Sequence, residues 1–467
     1  MLKKTQLFST MVNVLMLSVI FLVFTVSCAE AGLTDTVHEA VLPNGLKVIL
    51  LENHKSPVVT VQVWYRVGSR NEAWGKTGLS HLLEHMMFKG SKRFTAEEFV
   101  RIIEENGGNN NAFTSHDYTA YFVNMSADRV AIPLELEADR MGHALFSEKE
   151  FITEKNVVLE ERRLRTDDNP QSYLHEQTYA TAYQVHPYHW PIIGWMEDLE
   201  RITLADAKAY YDRYYTPANA FVVIAGDFSR QELLPKIEKA FGHLSAKHAP
   251  NQDVGREPAQ PGERRIVVRR EGLVPALMMG YHVPNLKNPD SYVLEVIEAV
   301  LSHGRSSRFY ERLIREKQIA LRADADYSLT SFDPGLFFIS AETLPGKDLV
   351  TLEKAIDEEI TRLQTEPISP DELSKAKNQL QASFLYGQDS VFYQAMVLAR
   401  HEIVASWKSV DDYLPAILRV TANDVMRVAR LYLLPENRTV GILTPLPPQK
   451  DKPVAPEPHT QEKGHVR

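Results

Sequence analysis

Apolar and polar residues alternate along Val58–Val67, and a mostly apolar run, Leu46–Leu51, follows the Asn44-Gly45 turn. Both patterns read as strands, because side chains along a strand point to alternate faces. Downstream the apolar period lengthens to that of a helix. Helices are expected over 78–88, 96–106, 129–145 and 150–165. Beyond residue 263 the same mixture returns, with strands expected near 265–270, 276–282 and 335–341. Helices are expected there near 290–302, 349–364 and 370–385. Strands and helices are interspersed without a strict strand–helix–strand alternation. This predicts an α+β chain in which each mixed, mostly antiparallel sheet carries helices packed on one face.

The two stretches also resemble each other. Ile202-Thr203, Asp206, Tyr214, Pro217, Asn219 and Val222 recur, at a constant offset of 218 residues and without a gap, as Val420-Thr421, Asp424, Tyr432, Pro435, Asn437 and Val440. Each copy reads as a threonine-capped helix, a Pro-Asn turn and an apolar strand. Two homologous domains are therefore expected, 34–245 and 264–445. Residues 246–263, with Pro250, Pro258 and Pro261 and few apolar side chains, have the composition of a linker. The proline-rich, polar segment 446–467 is expected to be a disordered tail.

Composition narrows the class. The chain has 467 residues, 44% apolar and 24% charged, a globular balance. A formal charge of −9 with no basic tract leaves no electrostatic footprint for nucleic acid. Residues 1–31 read as a secretory signal peptide: Lys3 and Lys4, an apolar run from Met11 to Val26, then Ala29-Glu30-Ala31. Export is expected, with a bacterial periplasm as the destination. The sole cysteine, Cys28, lies inside this segment, so cleavage leaves a chain without disulfides. Membrane attachment is expected only if Cys28 is lipidated or the signal is retained.

The candidate chemistry sits on the 78–88 helix, as His81-Leu-Leu-Glu84-His85. Residues four apart on a helix lie on one face about 6 Å apart, so His81 and His85 can grip one metal ion with Glu84 on the same side. Leu82, Leu83, Met86 and Met87 cover the other faces, so the helix must be buried. Polar groups there need a partner, because unpaired they cost several kcal/mol. A catalytic zinc takes three protein ligands and an open position. The 150–165 helix offers the third. Glu154 and Glu161, seven residues apart, share a face, while Glu160 points about 100° away. Glu161 is the expected ligand, Glu154 orients a ligating histidine, and Glu160 belongs to solvent.

Together these residues resemble the pitrilysin/insulinase family of zinc peptidases, whose H-x-x-E-H motif inverts the commoner order. The likeness rests on GLSHLLEHMMFKGS, on E-x6-E ending at Glu161, and on Gly107-Gly-Asn-Asn-Asn111-Ala112-Phe-Thr114, and it extends over roughly residues 36–445. Within the family it is to a zinc-bearing subunit of the mitochondrial processing peptidase beta type and to bacterial periplasmic homologues. The resemblance implies one Zn2+ per chain held by His81, His85 and Glu161, with Glu84 as general base and Glu154 as supporting acid. It also implies that Asn111 and Ala112 lie on an edge strand, where an extended substrate adds as a further strand. The substrate class so implied is peptides and unfolded polypeptide.

One part of the pattern departs. Family members complete the site with an arginine and a tyrosine in a segment resembling R-E-K-Q-G-L-A-Y. Here Arg315 is present, but Arg322 stands at the tyrosine position and the nearest tyrosine is Tyr327. An arginine differs from tyrosine in geometry and charge. The expectation is a heterodimer with a homologous subunit that bears the Arg–Tyr pair. The alternative is a self-sufficient homodimer in which Tyr327 or Arg322 substitutes. A non-catalytic peptide-binding or assembly subunit is the competing class. It would go with loss of one of the four metal-motif residues, and none is lost.

Overall fold

A computed structural model describes residues 33–447 apart from 247 and 273. The signal-peptide reading, Cys28 and the tail beyond Pro447 lie outside the described residues. The chain is α+β, with two homologous domains. The first sheet comprises β1 (Val37–Val41), β2 (Lys47–Glu52), β3 (Val58–Tyr65), β4 (Asn109–Thr114), β5 (Thr119–Ser126) and β6 (Ala220–Gly226), in the order β1-β2-β6-β3-β5-β4. The second comprises β7 (Arg264–Glu271), β8 (Ala276–Val283), β9 (Ala320–Tyr327), β10 (Gly335–Thr343) and β11 (Arg438–Leu446), in the order β7-β11-β8-β10-β9. Each sheet contains one parallel pair, β2 with β6 and β7 with β11, and is otherwise antiparallel. With β1 set aside, the two sheets have the same strand order and the same directions.

The first domain contributes α1 (Leu79–Met86), α2 (Ala96–Glu105), α3 (Ala131–His143), α4 (Glu148–Arg162), α5 (Pro170–Ala182), α6 (Met196–Arg201), α7 (Leu204–Tyr214) and α8 (Arg230–Phe241). The second contributes α9 (Asp290–Ser302), α10 (Leu349–Thr365), α11 (Pro370–Gly387), α12 (Val391–Val404), α13 (Val410–Arg419) and α14 (Ala422–Tyr432). The repeat seen in the sequence falls on α7–β6 and α14–β11. Both helices open with a reciprocal capping box, Thr203 with Asp206 and Thr421 with Asp424. The threonine hydroxyl accepts the aspartate N–H at 3.3 and 3.2 Å. Two otherwise unpaired N–H groups are satisfied each time, which fixes where the helix begins.

The alternation along the strands shows how the layers close. Val48, Leu50, Val61, Val63, Val222 and Ile224 face the first domain's own helices. Ile49, Leu51, Trp64, Phe221 and Val223, on the opposite face, share a core with Ala395, Leu398 and Ala399 of α12. The helix covering that face thus comes from the second domain. The exchange is mutual. Leu277, Met279 and Tyr281 face the second domain's helices, while Ala276, Met278, Leu336, Phe338 and Leu443 pack on Leu174 and Ala182 of α5, a first-domain helix.

Among the described residues, the proline-rich stretch 246–263 has no helix or strand, as its composition implies, yet it is pinned along its length. The Gln252 amide donates to Arg66 O and Asn219 Oδ1 at 2.9 and 3.1 Å. The Glu257 carboxylate accepts three successive N–H groups, those of Gln184, Val185 and His186, within 3.0 Å. Gln260 donates to Arg438 O at 2.7 Å. Buried Arg70 adds a lock between the domains through Asp333, at 2.8 Å.

Candidate metal centre

Helix α1 starts at Gly78, whose φ of +88° lies in the left-handed region. A Cβ there would stand 2.5 Å from Ile193 O, so the position requires glycine. The first turn is anchored by Glu72, whose carboxylate accepts the N–H groups of Gly78 and Ser80, each at 2.7 Å. Burial nevertheless pushes the Glu72 carboxyl up to about 8. Leu79, Leu82, Leu83 and Met86 are buried against the first sheet. The remaining stripe, His81, Glu84 and His85, turns towards α4.

Helix α4 presents Glu154 and Glu161 to that stripe. Glu161 Oε2 stands 3.8 Å from His81 Nε2 and 3.4 Å from His85 Nε2. The three potential ligand atoms all lie within 4.8 Å of one another. Tetrahedral zinc with these donor types sets its ligands roughly 3.3–3.5 Å apart, so the two Glu161 spacings nearly fit already and the remaining pair has at most about 1.5 Å to close. Glu154 Oε2 lies 3.1 Å from His85 Nδ1, and its other oxygen 2.7 Å from Lys89 Nζ. This partner draws the proton to Nδ1 and leaves Nε2 facing Glu161. Arg165 holds the second Glu161 oxygen at 2.5 Å.

Metal binding needs neutral imidazole and ionised carboxylate, a condition towards which the surroundings push His81 and Glu161 but not His85. Burial, then the neighbouring His85, pulls His81 down to about 4 against the opposing charge of Glu161. The hydrogen bond with His85 holds Glu161 below the usual carboxylate range. Burial acts to lower His85 too, but its bonds to Glu161 and Glu154 outweigh it and raise the group. Glu84 is raised by burial, against a 2.5 Å hydrogen bond donated by Thr114 Oγ1. Glu160 is exposed and paired with Arg163, which agrees with its helix phase.

A cavity of about 670 Å3 opens beside these groups, lined by His81, Glu84, Glu161 and Ala112 on one side and by Tyr179, Trp190 and Met278 on the other. Met278 comes from the second domain. Asn111 and Ala112 lie on β4, the free edge of the first sheet. The Ala112 N–H is taken by the Asn111 side chain at 2.9 Å rather than by β5, so it is directed to the open edge.

Arg315 is not brought to this cavity. It lies in the helical segment Phe309–Glu316, 70% exposed, and pairs with Glu311 four residues earlier. Its expected role at the site therefore has no basis within this chain, because its helical neighbour holds it at the surface. Arg322 is exposed on β9 and pairs with Asp324. Tyr327 is buried and donates its hydroxyl to Pro284 O at 2.6 Å. Sequence reasoning passed over Glu72, Lys89 and Arg165. Arg165, four residues beyond Glu161, was legible as a helical pair; Glu72 sits in a loop and had no such signal.

Comparison with known proteins gives the family. Residues 47–194 match the family model "Insulinase (Peptidase family M16)", and residues 201–380 match "Peptidase M16 inactive domain". The zinc protease PqqE of Helicobacter pylori is 36% identical over 415 residues, covering 87% of this chain and 93% of that protein. The uncharacterized zinc protease YmxG of Bacillus subtilis is 28% identical, covering 86% and 97%. The crystal structure of a protease from Helicobacter pylori superposes with a TM-score of 0.85 at 35% identity, covering 88% of this chain and 99% of that one. With the family models spanning most of the chain and PqqE matching over nearly its whole length, the chain belongs to the pitrilysin/insulinase (M16) family of zinc peptidases.

Proposed function

We propose that the protein is an endopeptidase that hydrolyses peptides or unfolded protein segments at a centre made by His81, His85, Glu161 and Glu84. The observation that carries the proposal is the convergence of three ligand atoms within 4.8 Å of one another, with Glu84 lining the same cavity. His81 Nε2, His85 Nε2 and Glu161 Oε2 would hold the ion. When bound, zinc supplies Lewis acidity that polarises a peptide carbonyl and brings the acidity of water near neutral pH. Thr114 occupies Glu84 Oε2, so Oε1 is free to take a proton from the attacking water and pass it to the leaving amine. The edge of β4 would align an extended backbone, the substrate carbonyl displacing the Asn111 side chain from the Ala112 N–H, which is why unfolded segments suit the cavity better than folded ones. The test is Glu84→Gln, which should retain zinc, measured by elemental analysis, and lose peptide turnover by at least about a hundredfold. Near-normal turnover in that variant would overturn the role of Glu84.

We further propose that full activity needs a homologous subunit carrying the Arg–Tyr pair. Arg315 and Arg322 are turned to the surface, and Tyr327 is buried with its hydroxyl engaged. The expected outcome is weak hydrolysis by the purified chain and a large gain when the partner is co-expressed. Full activity of the single chain would rule this requirement out. Export to a periplasm is proposed on the charge and apolar pattern of residues 1–31, and detection of the mature chain in the periplasmic fraction tests it.

A further inference from the structure

A second cavity, of about 640 Å3, lies between α3 and α8 and shares no lining residue with the cavity of the metal centre. Its apolar lining is Leu134 and Ala138, both buried, half-buried Ala240 and exposed Ala131. Its rim is basic. Lys92, Arg93, Lys236 and Lys239 line it together with His143 and His243, against only two carboxylates, Glu135 and Asp139. Both carboxylates are engaged. Glu135 pairs with Arg93 at 3.1 Å. Asp139 accepts the Arg93 N–H at 2.9 Å and lies 3.2 Å from His143 Nδ1. Among the described residues, no carboxylate stands within ion-pair reach of Lys92, Lys236 or Lys239. Lys236 and Lys239 are one turn apart on α8, so both project over the same groove.

This distribution runs against the rest of a molecule with a formal charge of −9. Unpaired cations around a cleft raise the local concentration of anions. Exposed lysines alone hold a bare anion weakly, because both partners are well solvated. The alanine and leucine floor adds a term that a bare anion cannot use, the burial of hydrocarbon. The volume lies in the range of small-molecule sites, which combine an apolar lining with a few polar groups.

We infer that the cleft between α3 and α8 binds an anionic amphiphile, a carboxylate or phosphate carried on an apolar body. The head group meets Lys92, Lys236 and Lys239, and the hydrocarbon lies on Ala131, Leu134, Ala138 and Ala240. The inference does not depend on the proposed peptidase activity.

Isothermal titration of the full chain with decyl phosphate, below its micelle concentration, tests the inference, with inorganic phosphate and decyl maltoside as controls. Saturable one-to-one binding is expected, at least about tenfold tighter than either control. The double variant Lys236→Glu/Lys239→Glu should weaken it by at least about tenfold and leave peptide turnover and the melting temperature unchanged. Ala240→Phe fills the floor without touching the charges and should abolish binding as well. Co-sedimentation with phosphatidylcholine vesicles, with and without phosphatidylglycerol, separates the sources. Capture by the anionic vesicles that the double variant loses identifies a membrane lipid head group, whereas binding of decyl phosphate alone identifies a free ligand. No saturable binding, equal binding of decyl maltoside, or equal binding by the double variant overturns the inference.

Discussion

Glu154 makes no direct contact with the potential ligand atoms of His81 or Glu161, yet its removal should loosen the metal. Glu154 is 6% exposed, and its carboxylate holds two groups at once, His85 Nδ1 at 3.1 Å and Lys89 Nζ at 2.7 Å. In Glu154→Ala the His85 ring loses the partner that fixes its tautomer, so part of its population turns the wrong nitrogen to the site. Lys89 is 28% exposed and can regain water, so most of the cost falls on His85. Loss of such a supporting carboxylate typically weakens metal binding by about 10–100-fold, or roughly 1.4–2.7 kcal/mol. Glu154→Gln keeps an acceptor for Nδ1–H but loses the charge. A charge-assisted hydrogen bond is about twice as strong as a neutral one, so roughly half of that free energy should remain. Zinc affinity is read by competition with a chelator of known affinity, and the melting temperature of the metal-free chain controls for folding. Zinc affinity within about twofold of the unmodified chain in Glu154→Ala, with the fold intact, would refute the reasoning.

Two further outcomes concern the scaffold. A Cβ on Gly441 of β11 would collide with the hydroxyl of Thr178 on α5, so Gly441→Ala should cost about 1–3 kcal/mol in denaturant unfolding. Adding Thr178→Ala should recover part of that loss, a non-additivity expected of direct neighbours. The second outcome concerns acid. Burial acts to raise Glu372, but the Arg308 guanidinium and the Ser369 N–H and hydroxyl together bring it to about 2 from an ordinary 4.5. Its stabilising contribution is therefore present above pH 4.5 and is lost as pH falls towards about 2. Glu372→Gln should flatten the melting temperature against pH across that window, and an unchanged slope would count against the Arg308 pairing.

Much of this was legible because local chemistry and tertiary need coincide. The threonine caps at 203 and 421 mark helix starts that packing also requires. The buried face of α1 and its histidine stripe follow from one spacing. Glu161 was separated from Glu160 by helix phase alone, and the structure turns the two to different surroundings. The exchange of α5 and α12 was not legible, since an apolar helix face shows that it needs a partner but not which sheet supplies it. The strap at 246–263 was read as a spacer because hydrogen bonds such as those of Glu257 to residues 184–186 join positions more than seventy apart. Arg315 was placed by analogy of motif. Its place four residues after Glu311 offers a helical ion pair that holds it at the surface, a local signal that the motif analogy overrode.

The mutual loan of α5 and α12 bears on how the chain can be made. The first sheet, once translated, presents Ile49, Leu51, Trp64, Phe221 and Val223 with nothing to cover them until α12 has followed. The half synthesised first is thus an incomplete body, sticky on one side, and becomes stable only when its sibling arrives. Unfolding should run the same way in reverse, as a single event rather than half by half. The strap then acts as a tether that keeps the halves at high effective concentration. Cut within it, the two pieces should still hold together, because each carries a part of the other's interior.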